Sequence, residues 1–195
     1  MANKYIFLDV DGVLNYETTK ARIPGEGWLG IEKKKVLLLQ SIVHQSHADI
    51  ILSSSWRYDW FKDMDRCNKV GRYLNKKLAE TGLRIRDKTP QFGNGYGRGG
   101  EIMSYLEEHP ADAWVILDDE IFMGFEDPVI SQHFVRTDMK YGLTPERTDR
   151  AISVLNGELV SDEEYSACLI GWERDHFGLD LTGDVSDNGS EEGSS

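Results

Sequence analysis

The chain has 195 residues and a mass of 22.2 kDa, with 39% hydrophobic and 29% charged residues. That is the composition of a globular domain, and the length suffices to bury a core without covalent staples. Cys67 and Cys168 are the only cysteines, which excludes a disulfide framework and points to a reducing, cytoplasmic setting. Neither has a CxxC or CxxH neighbour, which argues against structural zinc. No apolar run has the length of a membrane span, and the chain passes straight from Met1 into a strand-like segment, so neither anchor nor signal peptide is expected.

The net charge of −12 is unevenly spread: residues 1–56 are neutral, 57–98 carry +6, and 99–195 carry −18. An acidic protein is a poor general binder of nucleic acid, because phosphates repel it. The basic middle segment is ordinarily read as a solvated helix surface. Its sharper reading is a local anion-attracting face.

In chain order, Tyr5–Leu8 is a short unbroken apolar run, the mark of a strand buried on both faces. Val36, Leu37, Leu39, Ile42 and Val43 then give a broad apolar helical face, and Ile50–Leu52 a second buried strand. Val70, Tyr73, Leu74 and Leu78 recur at helical spacing, with Gly82 as a stop, before the alternating strand Leu83–Arg86. A short helix through Ile102, Tyr105 and Leu106 ends near Pro110 and precedes a third buried strand, Trp114–Leu117. His133–Val135 is a weaker strand candidate. Thr144–Pro145 opens a helix that closes at Asn156–Gly157, and Ser161–Glu164 is a capping box for a last helix through Tyr165, Leu169 and Trp172. Strands alternating with helices imply an α/β fold with a mainly parallel sheet. The expected domain is 1–182, followed by a disordered Gly/Ser/acidic tail over 183–195.

In such folds, ligands gather at the carboxyl ends of the strands. Three of these ends carry polar groups: Asp9-Val10-Asp11-Gly12, Ser53-Ser54-Ser55 and Asp118-Asp119. Residues two apart in an extended chain face the same way, so Asp9 and Asp11 can meet one site, and Gly12 lets the chain leave by a sharp turn. Carboxylates converging on one sheet edge repel one another unless a cation sits between them, and oxygen donors suit Mg²⁺. Each group alone is more often a cap or a turn; their convergence on one edge is what carries the reading.

Phe7 to Asn15 (FLDVDGVLN) resembles the first motif of the haloacid dehalogenase-like (HAD) phosphohydrolases. Ile50–Ser53 resembles the second, an apolar strand ending in Ser or Thr, and Val115–Asp119 the fourth, an apolar strand ending in acids. Arg98, ahead of Ile102, stands where the third motif more commonly has Lys, and the resemblance runs over roughly 4–156. Together with the Gly142–Thr144 segment, it is similar to a small HAD group found as domains in RNA-repair proteins. The resemblance implies a Rossmann-like five-stranded sheet of order 3-2-1-4-5 with no large cap domain. It implies catalytic roles for Asp9 (nucleophile), Asp11 (general acid and base), Ser53 and Arg98. Mg²⁺ is then held by Asp9, Asp11 through its carbonyl, Asp118 and Asp119, with Gly12, Ser54 and Arg57 at the substrate.

The function so implied is a Mg²⁺-dependent phosphatase working through an aspartyl-phosphate. A capless site favours bulky substrates, so the expected partner is a phosphorylated nucleotide or nucleic-acid end, with no membrane. Arg57, Arg84, Arg86 and Lys88 are expected nearest a polyanion, and Trp56 is expected either in the core or stacked on a base. A phosphatase of small metabolites, a metal-dependent nuclease and a non-catalytic phosphate-binding module are the alternatives.

Overall fold

The computed structural model describes residues 2–92 and 97–177. The expected tail, 183–195, and the end of the 1–182 domain lie outside them. The sheet has five parallel strands in the order β3-β2-β1-β4-β5: β1 Lys4–Leu8, β2 Asp49–Leu52, β3 Ile85–Lys88, β4 Ala113–Asp118 and β5 Phe134–Arg136. The central position of β1 explains its unbroken apolar run, because both of its faces are covered. Ile6 and Leu8 join Ile50, Leu52, Val115 and Leu117 in one core, while Tyr5 and Phe7 join Ile51, Trp114 and Ile116 in the other.

The first core is closed by α1 (Lys33–Ser46), α2 (Lys69–Ala79) and α5 (Pro145–Leu155). The second is closed by α3 (Gly97–Glu108) and the short α4 (Pro128–Ser131). Caps fix where these helices begin. Asn68 accepts from the amides of Val70 and Gly71 at the start of α2, and Thr144 accepts from Arg147 at the start of α5, ahead of its first-turn proline. Leu37 is exposed rather than part of the α1 face, because it sits one residue off the buried stripe of Val36, Leu39 and Ile42. The last helix, α6 (Asp162–Phe177), buries no residue fully. It is held to the sheet edge by Tyr165 against Phe134, by Arg136 to Asp175, and by Trp172 and His176 to Glu120.

Register, more than helix packing, builds the functional edge. Leu8 lies opposite both Leu52 and Leu117, so the chain steps off β1 and β2 at the same height and β4 ends one residue further on. The Asp9 amide donates to the Leu117 carbonyl and the Ser53 amide to the Leu8 carbonyl, 2.9 and 2.8 Å. These bonds set Asp9, Ser53 and Asp118 side by side. Among the described residues no large cap domain interrupts this edge. Between Gly12 and Ser53 the chain forms a flap, closed by an antiparallel bridge between Arg22 and Leu29, and then α1 and β2. Between Ser53 and Asn68 it forms two 3₁₀ turns, Ser55–Tyr58 and Met64–Arg66. No helix among the described residues is long and apolar enough to cross a membrane.

Phe7 has no exposed surface and meets Tyr105 and Trp114 edge-on, with ring centroids 5.9 and 5.8 Å away. Phe7→Ala is expected to cost about 3–5 kcal/mol of unfolding free energy. Denaturant titration checks this; a loss below about 1 kcal/mol would show that the aromatic layer collapses to fill the gap.

Candidate active site

Asp9 is the first residue beyond β1 and is buried, as are Asp118 at the end of β4 and Asp119 beside it. One carboxylate oxygen from each lies within 4.8 Å of the others. Arg98, in the first turn of α3, reaches into this group. Its Nη1 donates to Asp9 Oδ1 at 2.9 Å and also to Asp118 Oδ2. The guanidinium carbon lies 4.0 Å from the centroid of the Phe122 ring, a stacking contact that an ammonium would make less well. Gly99 allows that approach: a Cβ there would stand 2.9 Å from the backbone of Gly124.

Three buried carboxylates against one guanidinium leave an excess of negative charge. Burial pushes Asp118 up to about 7 although Arg98 opposes it, and burial followed by the charge of Asp9 does the same to Asp119. Asp9 is raised well above the ordinary carboxylate range, first by burial and then by Asp118, with Arg98 pulling the other way. Burial alone would lower Arg98, but Asp118 and Asp9 outweigh it and hold the guanidinium charged. The group therefore holds protons or takes up a cation, and a cluster made only of carboxylate oxygens fits Mg²⁺.

Gly12 is indispensable to this packing. Its φ is +67°, and a Cβ would lie 2.2 Å from Asp119 Cγ. Its amide donates to Asn15 Oδ1 at 3.1 Å. Asn15, itself fully buried, donates from Nδ2 to Asp11 Oδ1 at 2.7 Å, and Trp56 Nε1 donates to Asp11 Oδ2 at 2.9 Å. The Asp11 carboxylate is thus held, half-exposed, between two donors, outside the three-acid group but near enough for its charge to act on Asp9 and Asp119. Ser53 Oγ is buried with no hydrogen-bond partner, a hydroxyl at the strand edge beside Asp9. Ser54 is buried too, and its hydroxyl interacts with Asp9 as well as accepting from the Trp56 amide.

The edge therefore has a crowded carboxylate, a paired cation, an unpartnered hydroxyl and an oriented acid, on the strand ends of a parallel sheet. The family model described as "HAD domain in Swiss Army Knife RNA repair proteins" matches residues 5–148. The chain belongs to this HAD family. Its members are typically Mg²⁺-dependent phosphatases, and the three-acid cluster suits such a metal. No curated protein and no solved structure matches the chain.

Several expectations about the basic segment need correction in this HAD domain. Arg57 does not stand at an open rim. The 3₁₀ turn carries its side chain inward, where it is 5% exposed and pairs with Glu101 of α3 at 2.7 Å. Arg84 and Arg86 lie at the start of β3, the end of the sheet away from the site, where Arg86 pairs with Asp49 at the first residue of β2. Lys88 is at the right end, but its Nζ donates to the Arg57 and Trp60 carbonyls and fastens the 3₁₀ turn. Trp56 is buried in the core, as the first of its two readings had it, and from there its indole N–H also holds Asp11. Asn15 and Phe122 were not singled out by sequence reasoning. Asn15 sits inside the first motif and was readable there, whereas nothing in the sequence ties Phe122 to Arg98.

Two outcomes follow from this geometry. Mg²⁺ is expected to raise the Tm of the wild-type protein, and Gly12→Ala to abolish that rise, because the new methyl must displace Asp119; an unchanged rise in the variant would show that Asp119 is dispensable to the metal. In metal-free protein the folded carboxylates titrate above their unfolded value near 3.8. The folded state then binds more protons at these groups, so the cluster's contribution to stability is greatest at low pH and falls as pH rises from about 4 to about 7. Asp118→Asn should flatten that fall, as thermal melts across the range will show, and an equal slope in the variant would remove the cluster as its cause.

Proposed function

We propose that this HAD domain is a Mg²⁺-dependent phosphatase of phosphoric monoesters, acting through an aspartyl-phosphate on Asp9. The observation that carries the reading is the convergence, on adjoining strand ends, of Asp9, the unpartnered Ser53 hydroxyl and Arg98 with the Asp118–Asp119 pair. Asp9 attacks phosphorus, the bond to the leaving oxygen breaks, and Asp11, in its protonated form, gives that oxygen its proton. Water then attacks the phosphoryl group, Asp11 takes the proton from the water, and phosphate leaves with Asp9 restored. Ser53 Oγ donates to a phosphoryl oxygen, and main-chain N–H groups near Asp11 and Ser54 hold the others. Arg98 neutralises charge on Asp9 and on the incoming phosphate. Asp9, the Asp11 carbonyl, Asp118 and Asp119 would hold Mg²⁺, which would supply the positive charge that lets an anionic nucleophile meet an anionic ester.

Terminal phosphates of nucleotides or nucleic acid are the substrate class we favour. The absence of an inserted cap among the described residues supports it, as does the setting in RNA-repair proteins that the family description names. Arg57, Arg84, Arg86 and Lys88 no longer support it, since each is paired or placed elsewhere.

Asp11→Asn separates the steps. It is expected to slow alkyl phosphates by about 10²–10⁴-fold and aryl phosphates, whose leaving groups need little protonation, far less. Trp56→Phe, which removes one donor to Asp11, should show the same pattern at smaller size. Steady-state kinetics over leaving groups of graded pKa reads both variants; a uniform loss across the series would sink the acid role of Asp11.

A further inference from the structure

Next to Asp11 the surface opens into a cleft of about 280 Å³. Trp28 of the flap and Tyr58 of the first 3₁₀ turn line it together with Leu29, Trp56 and Val70. Trp28 is 57% exposed and Tyr58 51% exposed, although both belong to well-anchored backbone. The Trp28 carbonyl accepts from Ile23, the Gly30 amide donates to Ala21, and the Ile31 amide donates to the Tyr73 hydroxyl of α2, at 3.0, 2.8 and 3.0 Å. Tyr58 rests against the guanidinium of the buried Arg57, 5.4 Å from its ring centroid. Aromatic rings displayed on fixed supports, beside the residue that protonates the leaving oxygen, have no role in phosphoryl chemistry itself.

The charge of the lining narrows the occupant. It contains no Lys or Arg, and its charged members are Asp11 and Asp59. A second phosphate is repelled there, and a bare sugar gains little from two rings, Leu29 and Val70. A flat, uncharged heterocycle gains most, since every base has a π face to stack, and Asp59 offers an acceptor for its N–H groups. Asp59 Oδ1 is steadied by Asn68 Nδ2 at 2.5 Å.

We propose that the cleft of Trp28 and Tyr58 is a leaving-group subsite for a nucleobase, so that the preferred substrate is a nucleoside monophosphate or a terminally phosphorylated nucleotide. This rests on the phosphatase reading, and it assigns to Trp28 and Tyr58 the substrate selectivity that Arg57, Arg84, Arg86 and Lys88 do not provide.

Adenosine monophosphate and ribose 5-phosphate differ only in the base and form the test pair. Wild-type protein with Mg²⁺ should show a KM for ribose 5-phosphate higher by about tenfold or more, the scale of one base–aromatic stack. Trp28→Ala and Tyr58→Ala should each shrink that ratio towards one, and Trp28→Phe should keep most of it. An unchanged ratio in the folded alanine variants would overturn the subsite, as would a variant effect larger on phosphotyrosine than on the nucleotide. A second readout is independent of turnover. Adenosine monophosphate should quench tryptophan emission, excited at the red edge where adenine does not absorb, and Trp28→Phe should remove most of the quench. Quenching without hydrolysis would keep the subsite and sink the phosphatase reading. Hydrolysis without quenching would do the reverse.

Discussion

The excess of buried carboxylate over buried cation at the strand ends is the constraint on which the rest of the structure depends. Asp9 and Asp118 share one guanidinium, that of Arg98, and the buried Asp119 crowds against them without pairing to it. Taking an ion out of water costs several kcal/mol unless its partners are well placed, and a single Arg98 cannot satisfy three such groups. A folded chain tolerates that cost when the cluster has another use, and on the proposed function that use is to attract a hard cation and a phosphoryl group to the same place. Perturbed carboxylates of this kind mark functional sites more often than structural ones.

Everything near the cluster serves its geometry. The matched heights of β1 and β2 bring Asp9 beside the unpartnered Ser53 hydroxyl, and the extra residue of β4 lifts Asp118 against them. Gly12 gives up a side chain so that Asp119 can close in, and Phe122 holds the guanidinium flat. Asn15 and Trp56 clamp Asp11 from two sides, which in the proposed mechanism separates the proton-exchanging acid from the acids that would hold a metal. The open cleft beside Asp11 is the subsite proposed for the leaving group.

Much of this was legible in the sequence because it depends on local pattern. Unbroken apolar runs located β1, β2 and β4, whose two faces are both buried, and each run ended at its polar site residue. Thr144 with Pro145 located the start of α5. What failed was long-range. β3 begins at Ile85 rather than Leu83, so Arg84 and Arg86 fall at the wrong end of the sheet, and composition cannot tell one strand end from the other. Arg57 looked like a surface cation because its partner, Glu101, is distant in sequence and only folding brings the two together. Trp56 was ambiguous for the same reason: its decisive contact is with Asp11. α4 is a single helical turn, too short to leave a periodic signal.

The central claim is that Asp9 is free to attack phosphorus and becomes covalently phosphorylated. A single-turnover reaction with a phosphorylated nucleotide and Mg²⁺, quenched in acid and mapped by peptide mass spectrometry, tests it most directly. The account predicts a phosphoryl group on the peptide carrying Asp9, absent from Asp9→Asn and chased away when hydrolysis is allowed to finish. Full phosphate release with no modified peptide at any time, or a phosphoryl group on another residue, would contradict it.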